Sequence, residues 1–140
     1  NLLVLWKEWG LDQIIKTAYE KGTILSGLSA GSICWFEQGL SDSVCTGMHP
    51  INGLGIIPGS HAPHYSSEKE EALGFINAFI PEASNQGMES MTVPQFTLLM
   101  EILHTVVASR AKAKVYFVER QNNIVIETPL KAKLINPHKR

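Results

Sequence analysis

The 140-residue sequence predicts an α/β domain with a mostly parallel sheet and a C-terminal β-hairpin. Three observations carry that prediction. A helix stop at Gly22 runs directly into the apolar, partly β-branched run Thr23-Ile24-Leu25-Ser26, and a helical pattern resumes a few residues later, so strand, tight turn and helix follow one another. Helical and strand-like stretches continue to alternate, the pattern of a parallel sheet. Near the end, residues 114–119 and 124–127 are β-rich runs separated by Gln121-Asn122-Asn123, the mark of a hairpin.

Taken in order, Leu2, Leu3, Trp6 and Trp9 fall at helical spacing, Gly10 interrupts, and Ile14, Ile15, Ala18 and Tyr19 form a second apolar face that ends at Gly22. This is a helix in two pieces. Residues 23–26 are expected as a buried parallel strand. After Gly27-Leu28-Ser29-Ala30-Gly31-Ser32, residues 33–38 read as helix up to Gly39. Residues 40–52 hold no sustained periodicity and read as a loop, and residues 54–57 read as a short strand leading into Pro58-Gly59-Ser60-His61-Ala62-Pro63-His64-Tyr65. Ser67 and Glu70 make a capping box for a helix with Ala72, Leu73, Ile76, Phe79 and Ile80 on one face, closed by Pro81. The tail from Lys131 to Arg140 is basic and expected to be exposed.

With 44% hydrophobic and 18% charged residues the chain reads as one globular domain with a real core. A formal net charge of -1 leaves no footprint for a phosphate backbone or an anionic membrane surface, so neither nucleic acid nor membrane is an expected partner. Cys34 and Cys45 are too few for a disulfide framework and lack zinc-site spacing, which favours reduced thiols and the cytoplasm. No cofactor or metal is expected. The apolar runs are shorter than a membrane span, no targeting signal is evident, and the start at Asn1 inside a helical pattern suggests a chain truncated at its N-terminus.

Gly27-Leu28-Ser29-Ala30-Gly31 fits Gly-x-Ser-x-Gly, in which small residues let a sharp strand-to-helix turn hold a serine hydroxyl clear of the backbone. The plain alternative is a glycine-rich turn with no chemistry. In the chemical reading, Ser29 is a nucleophile and the Ala30 N–H, at the start of the next helix, is placed to stabilise an oxyanion. A serine hydroxyl needs a base, and the chain offers His49, His61, His64, His104 and His138. His64 is preferred because it follows a strand end where open α/β sheets place their sites, with His61 in reserve. A surface loop histidine and a His-x-x-His metal pair are the competing readings. Asp42 is the first candidate for a carboxylate that orients the imidazole and Glu37 the second, while Ser41-Asp42-Ser43 is also ordinary turn chemistry.

These residues resemble the peptidase E (aspartyl dipeptidase) family of serine peptidases, in its Gram-positive-type branch, whose three-layer fold is similar to class I glutamine amidotransferase domains. The elbow Gly27-Leu28-Ser29-Ala30-Gly31-Ser32 matches Gly-x-Ser-Ala-Gly-[Ala/Ser], and Pro63-His64-Tyr65 matches the Pro-His-[Tyr/Phe] that carries the family's catalytic histidine. Leu5-Trp6-Lys7-Glu8-Trp9-Gly10-Leu11, Ala18-Tyr19-Glu20-Lys21-Gly22 and Ile33-Cys34-Trp35-Phe36-Glu37 are similar to the same branch. The resemblance covers residues 1 to about 81 and resumes from about Leu103 to Lys131. It implies a single partial domain over residues 1–140 that cleaves short peptides with Ser29 and His64, aided by Asp42. A homodimer is a candidate assembly.

Three departures from the family pattern qualify it. Family members carry a preceding portion with a Gly-Gly-Asn loop that supplies a second oxyanion donor, and this chain is read as beginning after it. The basic residue that reads an N-terminal aspartate belongs to the helix after the histidine, where Lys69 stands among Glu68, Glu70 and Glu71, and lysine does not replace a bidentate arginine. Residues 87–102 are atypical. Periodicity of Leu99, Ile102, Leu103, Val106 and Val107 favours helix there, whereas the resemblance implies strands, and a compensated frameshift in the gene would account for the mismatch. Two rival functions stand beside the peptidase: an α/β-hydrolase esterase, for which the Ser29-to-His64 interval is short, and a non-catalytic pseudoenzyme or binding module on the same fold.

Overall fold

The computed structural model describes residues 2–43, 46–65, 69–70, 73–74, 89–91, 96–99, 102–108, 114–121 and 124–135. The two-piece helix is present as α1 (Leu2–Glu8) and α2 (Leu11–Glu20). Gly10, at φ 68°, sits between them in the left-handed region that favours glycine. Gly22, at φ 91°, ends α2, and the Gly22 and Thr23 N–H groups turn back to the Tyr19 and Ala18 carbonyls. Trp6 of α1 stacks on Trp35, with ring centroids 6.1 Å apart.

Residues 23–26 depart from expectation. They are irregular, and Ile24 is 88% exposed, because no described strand lies beside them to complete a ladder. The next helix, α3 (Ala30–Ile33), is a single turn, and the expected continuation through residue 38 is instead β1 (Phe36–Ser41). Gly39, expected to stop a helix, is a strand position of close approach: a Cβ there would lie 2.4 Å from Ile33 Cγ2 and 2.7 Å from the His61 carbonyl. The region read as a loop contains the end of β1 and all of β2 (His49–Asn52), paired antiparallel. The strand expected at residues 54–57 begins later, as β3 (Ile57–Ala62).

β4 (Glu89–Met91), β5 (Phe96–Leu99) and β6 (Ile102–Ala108) follow, so the helical alternative for the atypical stretch gives way to strands. β7 (Val115–Gln121) and β8 (Ile124–Leu130) form the expected hairpin, and β9 (Lys133–Leu134) pairs with β6. The helix expected from Ser67 to Ile80 lies largely outside the described residues, of which 69, 70, 73 and 74 are helical. Cys45, His138 and residues 136–140 of the basic tail also lie outside them.

The main sheet has the order β2-β1-β3-β4-β7-β8. It is mixed rather than mostly parallel: β3 runs parallel to β1 and β4, while β2, β7 and β8 pair antiparallel. The reason is connection length, because short links such as β1 to β2 and β7 to β8 can join only antiparallel neighbours. A second sheet has the order β5-β6-β9. Leu40, Ala62, Tyr65 and Val118 form a buried cluster against which Met48, Leu73, Tyr116 and Val125 pack. Each large apolar side chain so buried contributes about 1.5–3 kcal/mol, and the cluster anchors β1, β3 and the turn after β3 together.

Candidate active site

Ser29 is the N-cap of α3, with φ 51° and ψ -120°. Among the described residues it is the sole non-glycine at positive φ, a conformation costing about 1–3 kcal/mol that surrounding contacts must hold in place. Gly27 permits the turn: a Cβ there would fall 1.9 Å from the Gly31 carbonyl oxygen. Gly31 is different, since a Cβ at that position meets nothing within 4 Å. The Ser29 carbonyl accepts from the Ser32 N–H at 2.8 Å, the Ile33 N–H at 3.1 Å and the Ser32 hydroxyl at 2.6 Å.

His64 lies in the turn Pro63-His64-Tyr65 directly after β3, at the C-terminal end of a strand flanked by two parallel neighbours. Tyr65, fully buried, fixes that turn in the core, while His64 itself is exposed. Its Nε2 is 2.9 Å from Ser29 Oγ. A neutral imidazole with Nε2 unprotonated accepts the serine proton at that distance, which is the reach a general base needs. The Ala30 N–H, next in the chain, forms no hydrogen bond among the described residues, whereas the Gly31, Ser32 and Ile33 N–H groups are taken by Leu28 and Ser29 carbonyls. An N–H in this position, at the start of a helix beside a serine hydroxyl, is of the kind that can stabilise an oxyanion.

A scan against protein-family models matches residues 1–130 to peptidase family S51. The chain belongs to peptidase family S51. Over 135 residues it is 36% identical to a protein described as an uncharacterized peptidase, YgaJ, of Bacillus subtilis (strain 168), an alignment that takes in 96% of this chain. The chain spans 58% of that relative's length. No solved structure matches. Family membership agrees with the peptidase E resemblance carried by the Ser29 and His64 motifs.

The other candidates of this S51 chain take up different positions. His61, the reserve base, is 2% exposed, and its Nε2 faces Ser32 Oγ at 3.0 Å instead of Ser29. The sequence placed Ser32 in the elbow pattern without giving it a partner; its spacing of three from Ser29, one helical turn, was the available signal. Asp42 follows β1 and is exposed, and among the described residues no hydrogen bond or ion pair joins it to His64. The Glu37 carboxylate accepts the Gly59 N–H at 2.9 Å. His49 Nε2 lies 3.0 Å from the Thr46 carbonyl.

Lys69 forms an ion pair with Glu127 at 2.7 Å and lies over the rings of Tyr65 and Tyr116. Glu127 also accepts the Tyr65 hydroxyl. Burial pushes the Glu127 carboxyl up, but the hydrogen bonds from Lys69 and Tyr65 and the lysine charge outweigh it, so the group titrates below the usual carboxylate range. Burial, with the Glu127 contact added, pushes the Tyr65 phenol far up. Cys34 donates its thiol to the Gly31 carbonyl, and burial raises it to about 11, so it is a thiol and not a thiolate at neutral pH. Among the described residues no helix is long and apolar enough to cross a membrane, and no cluster of metal-ligating side chains is present.

Proposed function

We propose that this site is the nucleophile and base of a serine peptidase acting on short peptides. The observation that carries the reading is the 2.9 Å contact between Ser29 Oγ, on its strained elbow, and His64 Nε2. Ser29 Oγ attacks the scissile carbonyl carbon as its proton passes to His64 Nε2, and the carbonyl oxygen takes negative charge facing the Ala30 N–H. The C–N bond then breaks, the leaving amine takes the proton from His64, and the acyl group remains on Ser29. Water, deprotonated by His64, attacks that ester and releases the acid. In this scheme Asp42, once it closes on the His64 ring, is the proposed orienting carboxylate, and Lys69 the group proposed to meet an acidic substrate side chain once it leaves Glu127.

Treatment with a fluorophosphonate and mass mapping of the adduct tests the reading. Modification of Ser29 is expected, abolished in Ser29→Ala and slowed at least about a hundredfold in His64→Ala. A folded protein that takes no label at Ser29 would sink the peptidase reading in favour of a binding module. Hydrolysis of short acyl esters with no peptide cleavage would favour the esterase.

A further inference from the structure

We propose that His61 and Ser32 form a positioning relay that locks the backbone of Ser29 in its catalytic conformation. The proton inventory leads there. A serine hydroxyl has one hydrogen to donate. At 2.6 Å from the Ser29 carbonyl, the Ser32 hydroxyl spends that hydrogen on the carbonyl oxygen, since two oxygens this close without a proton between them repel. Toward His61, 3.0 Å away, Ser32 Oγ is therefore an acceptor, and His61 Nε2 must carry a hydrogen. The relay runs from His61 Nε2–H to Ser32 Oγ–H to the Ser29 carbonyl, and successive bonds of this kind polarise one another.

The packing around His61 suits a fixed donor. The imidazole is buried and stacked on Phe36, with centroids 4.9 Å apart and planes 18° from parallel. Its strand β3 lies in register with β1 at Gly39, where the missing side chain lets the two backbones approach. One turn of chain, from His61 to His64, thus delivers two imidazoles to the same elbow with opposite proton duties. His61 Nε2 donates toward the backbone of Ser29, and His64 Nε2 accepts from its hydroxyl. The pair holds both sides of the nucleophile from a single strand end, so a shift of β3 moves base and backbone clamp together. The catalytic consequence rests on the serine peptidase reading; the tautomer of His61 does not.

The first test is a long-range 15N–1H spectrum of the histidine-labelled protein. His61 is expected to carry hydrogen on Nε2, and a spectrum with Nε2 bare and Nδ1 protonated would overturn the relay whether or not Ser29 is catalytic. The second is the rate of fluorophosphonate modification at Ser29. His61→Phe keeps the stacked ring and loses the donor; His61→Gln keeps an N–H at similar reach. The rate is expected to fall about tenfold in His61→Phe and in Ser32→Ala, no further in the double variant, and to recover in His61→Gln. In peptide turnover the loss should appear in kcat with KM unchanged. A wild-type rate in folded His61→Phe or Ser32→Ala, or a loss in His61→Gln as deep as in His61→Phe, would refute it. No labelling of the wild type would defeat the peptidase reading instead, with the spectrum still deciding the relay.

Discussion

The α1–α2 segment and the stretch from α3 into β1 both carry apolar side chains in sequence, yet the structure treats them differently. Val4, Trp9 and Ile14 are 66%, 67% and 62% exposed, whereas Ile33, Phe36 and Leu40 are 2–3% exposed. The contacts described at Ser29 and His64 come from residues 27–34 and 57–65, none from α1 or α2. The candidate site is therefore a property of the elbow and the end of β3, and changes in the two regions should have unequal effects. The largest is expected at Gly27. Gly27→Ala drives a Cβ into the Gly31 carbonyl, a backbone atom that cannot step aside, so the elbow must open. Labelling of Ser29 should fall by at least about a hundredfold, because a displacement near 1 Å at the reacting atoms is enough for that loss. Gly31→Ala meets open space within α3 and should raise stability by up to about 1 kcal/mol on thermal melting. Equal behaviour of the two variants would mean that the close approach at Gly27 does not hold the elbow.

A smaller contrast separates the cores. Leu40→Ala empties a buried site among Ala62, Tyr65 and Val118 and should cost about 2–5 kcal/mol in denaturant unfolding. Ile14→Ala on the exposed face of α2 should stay within about 0.5 kcal/mol. A cost at Ile14 as large as that at Leu40 would show that α2 is covered in solution and that the two regions are not so unlike.

The same division marks what the sequence made legible. The turn that holds Ser29 and the strand end that precedes His64 were readable because their geometry is local, glycine-relieved on one side and proline-led on the other. The hairpin of β7 and β8 was readable for the same reason. Residues 33–38 were not, because Ile33, Cys34, Trp35 and Phe36 fit a helical face as well as a turn followed by a strand. What decides is Gly39, and its role depends on Ile33 and the His61 carbonyl coming within 3 Å of where its Cβ would be. Residues 23–26 have the composition of a strand, but a strand is made by its neighbours, and composition does not name them. The bond between Ser32 and His61 joins residues far apart in the chain, which no local pattern encodes. One of the antiparallel strands that make the sheet mixed, β2, has a sequence, His49-Pro50-Ile51-Asn52, with no strand-like alternation to announce it.

The smallest effect is expected at the far edge of the sheet, where Glu127 on β8 holds Tyr65 and Lys69. The folded-state pKa of Glu127 is depressed, so its ionised form contributes stability above the unfolded value of about 4.3, and that contribution is lost as pH falls through the lowered folded value. Glu127→Gln should therefore lower stability at pH 7 and converge with the wild type once the pH has fallen below the lowered folded-state value. With the Lys69 side chain 47% exposed, solvent screening holds the difference below about 1 kcal/mol. A gap in melting temperature that stays constant between pH 7 and pH 3 would show that the contact contributes through shape and not charge. Tyr65 adjoins His64, so the variant also asks how far the site's rigidity extends. If the elbow and β3 suffice, fluorophosphonate labelling of Ser29 at pH 7 changes by less than about twofold. A larger loss would extend the positioning framework across the sheet to β8 and make the phenol–carboxylate contact part of what aims His64.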